Sequence, residues 1–246
     1  MFRHTLAAAV LLSALPVTGA LAASIHATDF TQAAYNAATS GGTFVGLDFE
    51  AEGDAAGEGE VGPALVTHVG TFTTMGGTGS GGTVSGLPGN TGTELALRDG
   101  NTYGRVDTVG GRWYLDSNDT YGILWNADLG GALFKSLTFV LTDGSDVGAY
   151  LRVSAAGSDY ELRSGGRLPN GYSSLVTITF EDYVQSALVE LVNYTTSGGT
   201  ALRRNDGFSI DGVQVELAPV PLPAAGLMLV AGLGGLAALR RRKHLA

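Results

Sequence analysis

Apolar and polar residues alternate along most of this chain in short runs, and glycine, aspartate and asparagine break the runs about every ten residues. Over residues 44–50, Val45, Leu47 and Phe49 fall on one side and Asp48 and Glu50 on the other. Residues 133–142 repeat the pattern with Leu137, Phe139 and Leu141, and residues 175–181 with Val176, Ile178 and Phe180. A period of two sustained this briefly is the mark of half-buried strands. Further strands are expected over 64–74, 94–98, 112–115, 121–125, 149–155, 160–163, 187–194 and 208–217. The last of these changes phase: Phe208 and Ile210 are even, whereas Val213, Val215 and Leu217 are odd. A bulge at Asp211-Gly212 reconciles the two halves and re-aims Asp211.

One short helix is expected over 30–38, capped by Thr28-Asp29 and ended by Ser40-Gly41-Gly42. Residues 52–62 read as an acidic glycine loop, and 75–92 as a glycine-rich one. With no repeat period and no long amphipathic helix, the fold class is all-β: a two-sheet β-sandwich of jelly-roll type.

The two ends of the chain read differently. Arg3 and His4, the apolar run 6–15 and Ala20-Leu21-Ala22 form a secretory signal over 1–22. The sandwich is then expected over 23–218 and a sorting tail over 219–246. The tail opens with Val220-Pro221-Leu222-Pro223-Ala224, continues as an apolar helix over 224–239 and closes on basic residues at 240–243. A helix of that length spans roughly 24 Å against a hydrocarbon core of about 30 Å. A plain C-terminal anchor is the competing reading, and the basic end predicts a cytoplasmic C-terminus in either case. All 23 acidic residues but only 9 of the 14 basic ones lie between Ala23 and Ala218, so this stretch carries −14 where the whole chain carries −9. That charge disfavours nucleic acid and anionic lipid, and suits metal cations or plain solubility. Cysteine is absent, so an exported domain must be held by its core, by bound ions, or by both.

The order of proline motif, glycine-bearing apolar helix and basic end resembles the PEP-CTERM sorting tails of Gram-negative bacteria, in the VPLPA variant, with Leu222 where the name-giving motif has glutamate. The resemblance implies an inner-membrane-anchored precursor and cutting by an exosortase-type transpeptidase. It further implies delivery to the cell envelope or extracellular matrix of a host that makes exopolysaccharide. The strand Leu47-Asp48-Phe49-Glu50 and the run 206–215 near the end resemble the galactose-binding-like jelly rolls of carbohydrate-binding modules. In that group an acid ending the first strand and an aspartate in the last hold a structural Ca²⁺. Carried over, these are Glu50 and Asp211, with Asp48, Asn205 and Asp206 as neighbours. Ordinary surface acids are the alternative. Asp116-Ser117-Asn118-Asp119 and Asp143-Gly144-Ser145-Asp146 share fragments of calcium loops but lack the full spacing, and read as hydrated turns.

Catalytic constellations find little support. There is no cysteine and no G-x-S-x-G, and only His26 and His68 lie within 23–218. Gly77-Thr78-Gly79-Ser80-Gly81-Gly82 fits G-x-G-x-x-G without the helix and βαβ unit that would make it a nucleotide site. Sugar binding would use exposed aromatics. Trp113, Tyr114, Tyr121 and Trp125 flank a polar loop and form a binding edge if their strands pair as a hairpin; core packing is the other reading. The chain is therefore expected to be an exported, non-enzymatic surface or exopolysaccharide-matrix protein that binds carbohydrate, with a glycan-acting hydrolase and a structural adhesion domain as alternatives.

Overall fold

The structure, a computed structural model, describes residues 22–77, 87, 89–106, 109–146, 148–162, 167–203 and 206–219. In chain order its elements are β1 (Ala23–Asp29), α1 (Gln32–Ala38), β2 (Phe44–Leu47), α2 (Glu50–Ala56), β3 (Gly59–Glu60), β4 (Leu65–Thr67), β5 (Gly70–Thr74), β6 (Ala96–Asp99), β7 (Trp113–Asp116), β8 (Gly122–Asp128), β9 (Phe134–Thr142), β10 (Tyr150–Ala155), β11 (Ser158–Glu161), β12 (Ser173–Val184), β13 (Ser186–Tyr194) and β14 (Ser209–Leu217). Two sheets form. The first runs β1-β12-β9-β14-β7-β6-β3, with β2 also on β14; the second runs β11-β10-β13-β8-β5-β4. Each recorded strand pair is antiparallel.

The alternation places the core as expected. Leu137, Phe139 and Leu141 of β9 and Val176, Ile178 and Phe180 of β12 are buried against Ile123, Trp125 and Ala127 of β8 and Val189 and Leu191 of β13. Phe72 stacks on Trp125 at 5.3 Å between centroids, and Trp125 meets Phe139 edge-on at 6.0 Å. Each such side chain, fully buried, contributes on the order of 1.5–3 kcal/mol. The bulge in β14 is present: its register to β9 shifts between Asp211 and Gln214, and Gly212 has φ +56°. Ile210 and Val213 thereby both reach the core.

The other face of β9 is also buried. α1 lies over it and places Tyr35 against Val140 and Leu175. The helix is capped by Thr31, whose Oγ1 accepts from Ala34 N at 3.0 Å, rather than by Thr28-Asp29. Those two residues belong to β1, which pairs along β12.

Two further expectations are corrected. Glu50, expected to end the strand 44–50, and the first residues of the acidic loop expected over 52–62 form α2 (Glu50–Ala56), because Phe49 turns the chain at φ +60° with its ring buried against Phe72. Residues 64–74 form the hairpin β4–β5 instead of one strand, turning at His68-Val69. Gly53 of α2 faces Trp113 so closely that a Cβ would stand 2.1 Å from the indole ring. No helix of the described residues is long and apolar enough to cross a membrane. The signal, motif 220–224, span 224–239 and basic end 240–243 lie outside the described residues, apart from Ala22 of the signal.

Candidate functional site

The two polar turns expected to be hydrated are interior. Asp116, Ser117, Asn118, Asp119, Asp143 and Asp146 are all buried, with Asp206 beside them. They gather where β7 and β9 end and β14 begins. Asp116 takes Arg98 Nε on Oδ2 at 2.5 Å and Arg105 Nη1 on Oδ1 at 2.8 Å, and Asn118 N donates to the same Oδ1 at 2.7 Å. Burial works against the Arg105 charge, but Asp116 and Asp143 outweigh it and hold its pKa above the ordinary value. Tyr114 donates its hydroxyl to Arg105 O, and burial pushes that phenol up to about 12. Burial and the neighbouring Asp146 push Asp143 up to about 6, although Gly171 N donates to its Oδ1. Burial, the charge of Asp146 and a hydrogen bond to Asp146 push Asp206 up to about 8.

The carboxylates expected to hold calcium serve the backbone. Glu50 Oε1 accepts from Arg112 N and Trp113 N, both at 2.7 Å. Asp48 Oδ1 accepts from Glu50 N at 3.2 Å. Asp211 accepts from Val109 N at 3.0 Å and from Gly212 N at 2.6 Å. Glu50 and Asp211 thus both brace the segment around 109–113. Asp206 lies apart from them in the acid-rich end, and Asn205 is outside the described residues. No group of three or more His, Cys, Asp or Glu side chains is arranged to hold a metal among the described residues.

The proposed aromatic edge does not form. β7 and β8 belong to opposite sheets and do not pair as a hairpin. Trp113, Tyr114 and Trp125 are buried, and Tyr121 is half-buried. Trp125 Nε1 donates to Val69 O and Trp113 Nε1 to Asp54, as buried indoles require.

A surface the sequence reading missed lies on the outer face of the second sheet. Arg152 and Ser154 of β10, Asp159 of β11, and Leu188, Glu190 and Tyr194 of β13 line an open groove of about 380 Å³. The Arg152 guanidinium lies 4.1 Å from the Tyr194 ring centroid, donates to Gly199 O at 3.0 Å and sits 3.8 Å from Glu161. Glu161 in turn accepts from Ser197 Oγ and Gly198 N, which fastens the turn beside the groove. Leu188 stands 52% exposed on a strand whose neighbour Val189 is fully buried. The only advance signal was the alternation of Arg152 and Ser154 with Leu151 and Val153, which any half-buried strand shows.

No known protein-family profile matches this chain, and no curated protein does. Several solved structures show a distant likeness. A glycoside hydrolase family 43 arabinoxylan arabinofuranohydrolase from Bacillus subtilis, in complex with cellotetraose, is 18% identical over 52% of this chain and 26% of its own, with a TM-score of 0.29. The GH26-CBM35 β-(1,4)-mannanase of Podospora anserina is 13% identical over 73% of this chain and 29% of its own, with a TM-score of 0.29. The mannan-recognising carbohydrate-binding module TmCBM27 is 10% identical over 72% of this chain and 99% of its own, with a TM-score of 0.31. The chain spans under a third of the first two proteins, and likenesses of this size carry neither its activity nor its ligand.

Proposed function

We propose that this chain is an exported surface or exopolysaccharide-matrix protein, cut at its tail by an exosortase-type transpeptidase, whose jelly-roll sandwich binds polysaccharide without turning it over. The tail reading is supported by the sequence order of proline motif, apolar run and basic end. The binding reading is carried by the groove on the second sheet. A volume of about 380 Å³ lies in the range of ligand sites, roughly 300–1,000 Å³. The stacked Arg152–Tyr194 pair offers a flat surface for a sugar ring, and Ser154, Asp159 and Glu190 offer acceptors for its hydroxyls. The acidic groove and the −14 charge of residues 23–218 favour neutral or amino sugars over uronates.

Titration of the protein with neutral, amino-sugar and uronate polysaccharides tests this. Tyr194→Ala and Glu190→Gln are each expected to weaken binding about tenfold, equivalent to about 1.4 kcal/mol. Trp125→Phe, in the core, is expected to leave affinity unchanged. Full affinity in Tyr194→Ala would overturn the groove, and steady release of reducing ends would replace the binding reading with hydrolysis.

A further inference from the structure

Strand β13 loses a neighbour before it ends. Its pairing with β10 stops at Ala155↔Val189, whereas its pairing with β8 continues to Ser186↔Asp128. Residues 186–188 therefore have a paired strand on one side only. Past the end of β10 the chain turns through Ala156 and Gly157 at φ +49° and +78°, and a Cβ at Gly157 would meet nothing within 4 Å. Strand β12 shifts its register to β9 between Thr179 and Val184, just before it leads into β13. These ends leave a notch of about 420 Å³ at the margin of the sandwich. Buried Phe180 and Val184 form its floor, and Ala156, Gly157, Ala187 and half-exposed Leu188 its walls.

Among the described residues lining the notch, only Ser186 has a polar side chain and none is charged. Its main chain faces the same way. Asn193 N donates to Tyr121 O on the β8 side, and the register of β13 to β8 is unbroken over 186–192. In an antiparallel ladder alternate residues turn their N–H and C=O to opposite sides, so Ser186 turns its pair away from β8.

The notch is continuous with the polar groove, because Ala156, Gly157 and Leu188 line both. A glycan lying along β13 from Tyr194 passes Glu190 and reaches Leu188 six residues on, about 20 Å away. One of its rings then stands at the mouth of the notch. A charged substituent would lose its water there and meet no counter-charge. A bare hydroxyl would leave the apolar walls wet. A short acyl group matches both parts: its methyl covers the walls, and its carbonyl oxygen accepts from Ser186 N–H or Oγ.

We propose that the groove selects acetylated sugars and that this notch takes the acetyl group. The inference rests on the groove binding polysaccharide, and it names the class of sugar bound.

The test is calorimetric titration of the full-length protein with four neutral probes. Two are glucosamine hexamers carrying N-acetyl or N-formyl groups, and two are mannose hexamers with and without O-acetyl groups. N-formyl keeps the neutral amide and removes only the methyl. Burying that methyl is expected to make the N-acetyl hexamer bind about fourfold tighter than the N-formyl one. A preference in the glucosamine pair assigns the notch to amide-borne acetyl, and one confined to the mannose pair assigns it to ester-borne acetyl. No preference in either pair overturns the proposal. Leu188→Ser, at an exposed position, and Val184→Thr, which keeps the side-chain shape, are expected to bring the ratio close to one. An unaltered ratio in Leu188→Ser also overturns the notch, whether or not Val184→Thr folds. Tyr194→Ala is expected to weaken every probe and keep the ratio. Full affinity in Tyr194→Ala is failure of the groove itself, whereas weakened binding there with no acetyl preference in the parent is failure of the notch alone. N-acetylalanine amide, an acetyl group without a sugar, is expected not to displace the hexamers, and displacement at equal concentration overturns the link to the groove.

Discussion

Replacing Asp116 tests whether the acid-rich end is as dry as its geometry states. Its side chain is fully buried and is bonded by Arg98, 1% exposed, and Arg105, 7% exposed. Asp116→Asn keeps the shape but removes the charge that both guanidinium groups answer. Removing one partner of a buried ion pair costs about 3–5 kcal/mol, mostly through the charge left behind. Arg105 retains Asp143 as a neighbour, so its loss is partial, whereas Arg98 already has Nη2 without a partner and loses more. The expected cost is therefore about 4 kcal/mol, a large share of the roughly 5–15 kcal/mol that holds a domain folded. At this chain length that is a fall in Tm of about 8–16 °C. Urea unfolding with an unchanged m-value, checked by calorimetry, reads it directly. Adding Arg98→Met to Asp116→Asn removes the stranded charge, so the double variant is expected to be more stable than Asp116→Asn alone. A cost under about 1 kcal/mol, as for a solvent-exposed pair, would refute the desolvation argument, and so would simple additivity in the double variant.

Gly53→Ala sets a methyl 2.1 Å from the Trp113 ring and should cost about 1–3 kcal/mol in urea unfolding; an unchanged midpoint would mean that α2 does not pack as described. Asp143 has a folded pKa of about 6, above its ordinary value of 3.8, so the folded chain holds a proton that the unfolded chain releases between those values. Its contribution is thus present at low pH and lost as pH rises through about 6, and Asp143→Asn should shrink the fall in Tm between pH 5 and pH 7; an equal fall in the variant would contradict this. Pro221→Ala combined with Pro223→Ala should leave the tail uncut, read by mass spectrometry of the exported chain, whereas normal trimming would detach cleavage from the motif.

The alternation in residues 133–142 and 175–181 was enough to identify which side chains of β9 and β12 enter the core between the sheets, because successive residues of a strand point to opposite faces; that α1 buries the other face of β9 was not legible. The phase change around Asp211-Gly212 likewise foretold the bulge, since only an extra residue brings Ile210 and Val213 to one core. Pairing was not legible. Trp113 and Trp125 lie twelve residues apart, yet their strands enter different sheets, and no local pattern records which sheet a strand joins. α2 escaped for a similar reason. Its sequence of acids, alanine and glycine is that of a loop, and it is held by burial of Phe49 and by contact of Gly53 with Trp113, sixty residues away.

Charge shows the same division most sharply. The sequence by itself determined that the chain is acidic, lacks cysteine and folds as strands, because composition and periodicity are local quantities. Only the tertiary structure decided that Asp116, Asp143, Asp146 and Asp206 are interior and face Arg98, Arg105 and Arg203, while Glu50 and Asp211 cap main-chain N–H groups. Whether an aspartate is a hydrated turn or a buried ion-pair partner depends on what folds over it, and the covering residues come from distant parts of the sequence.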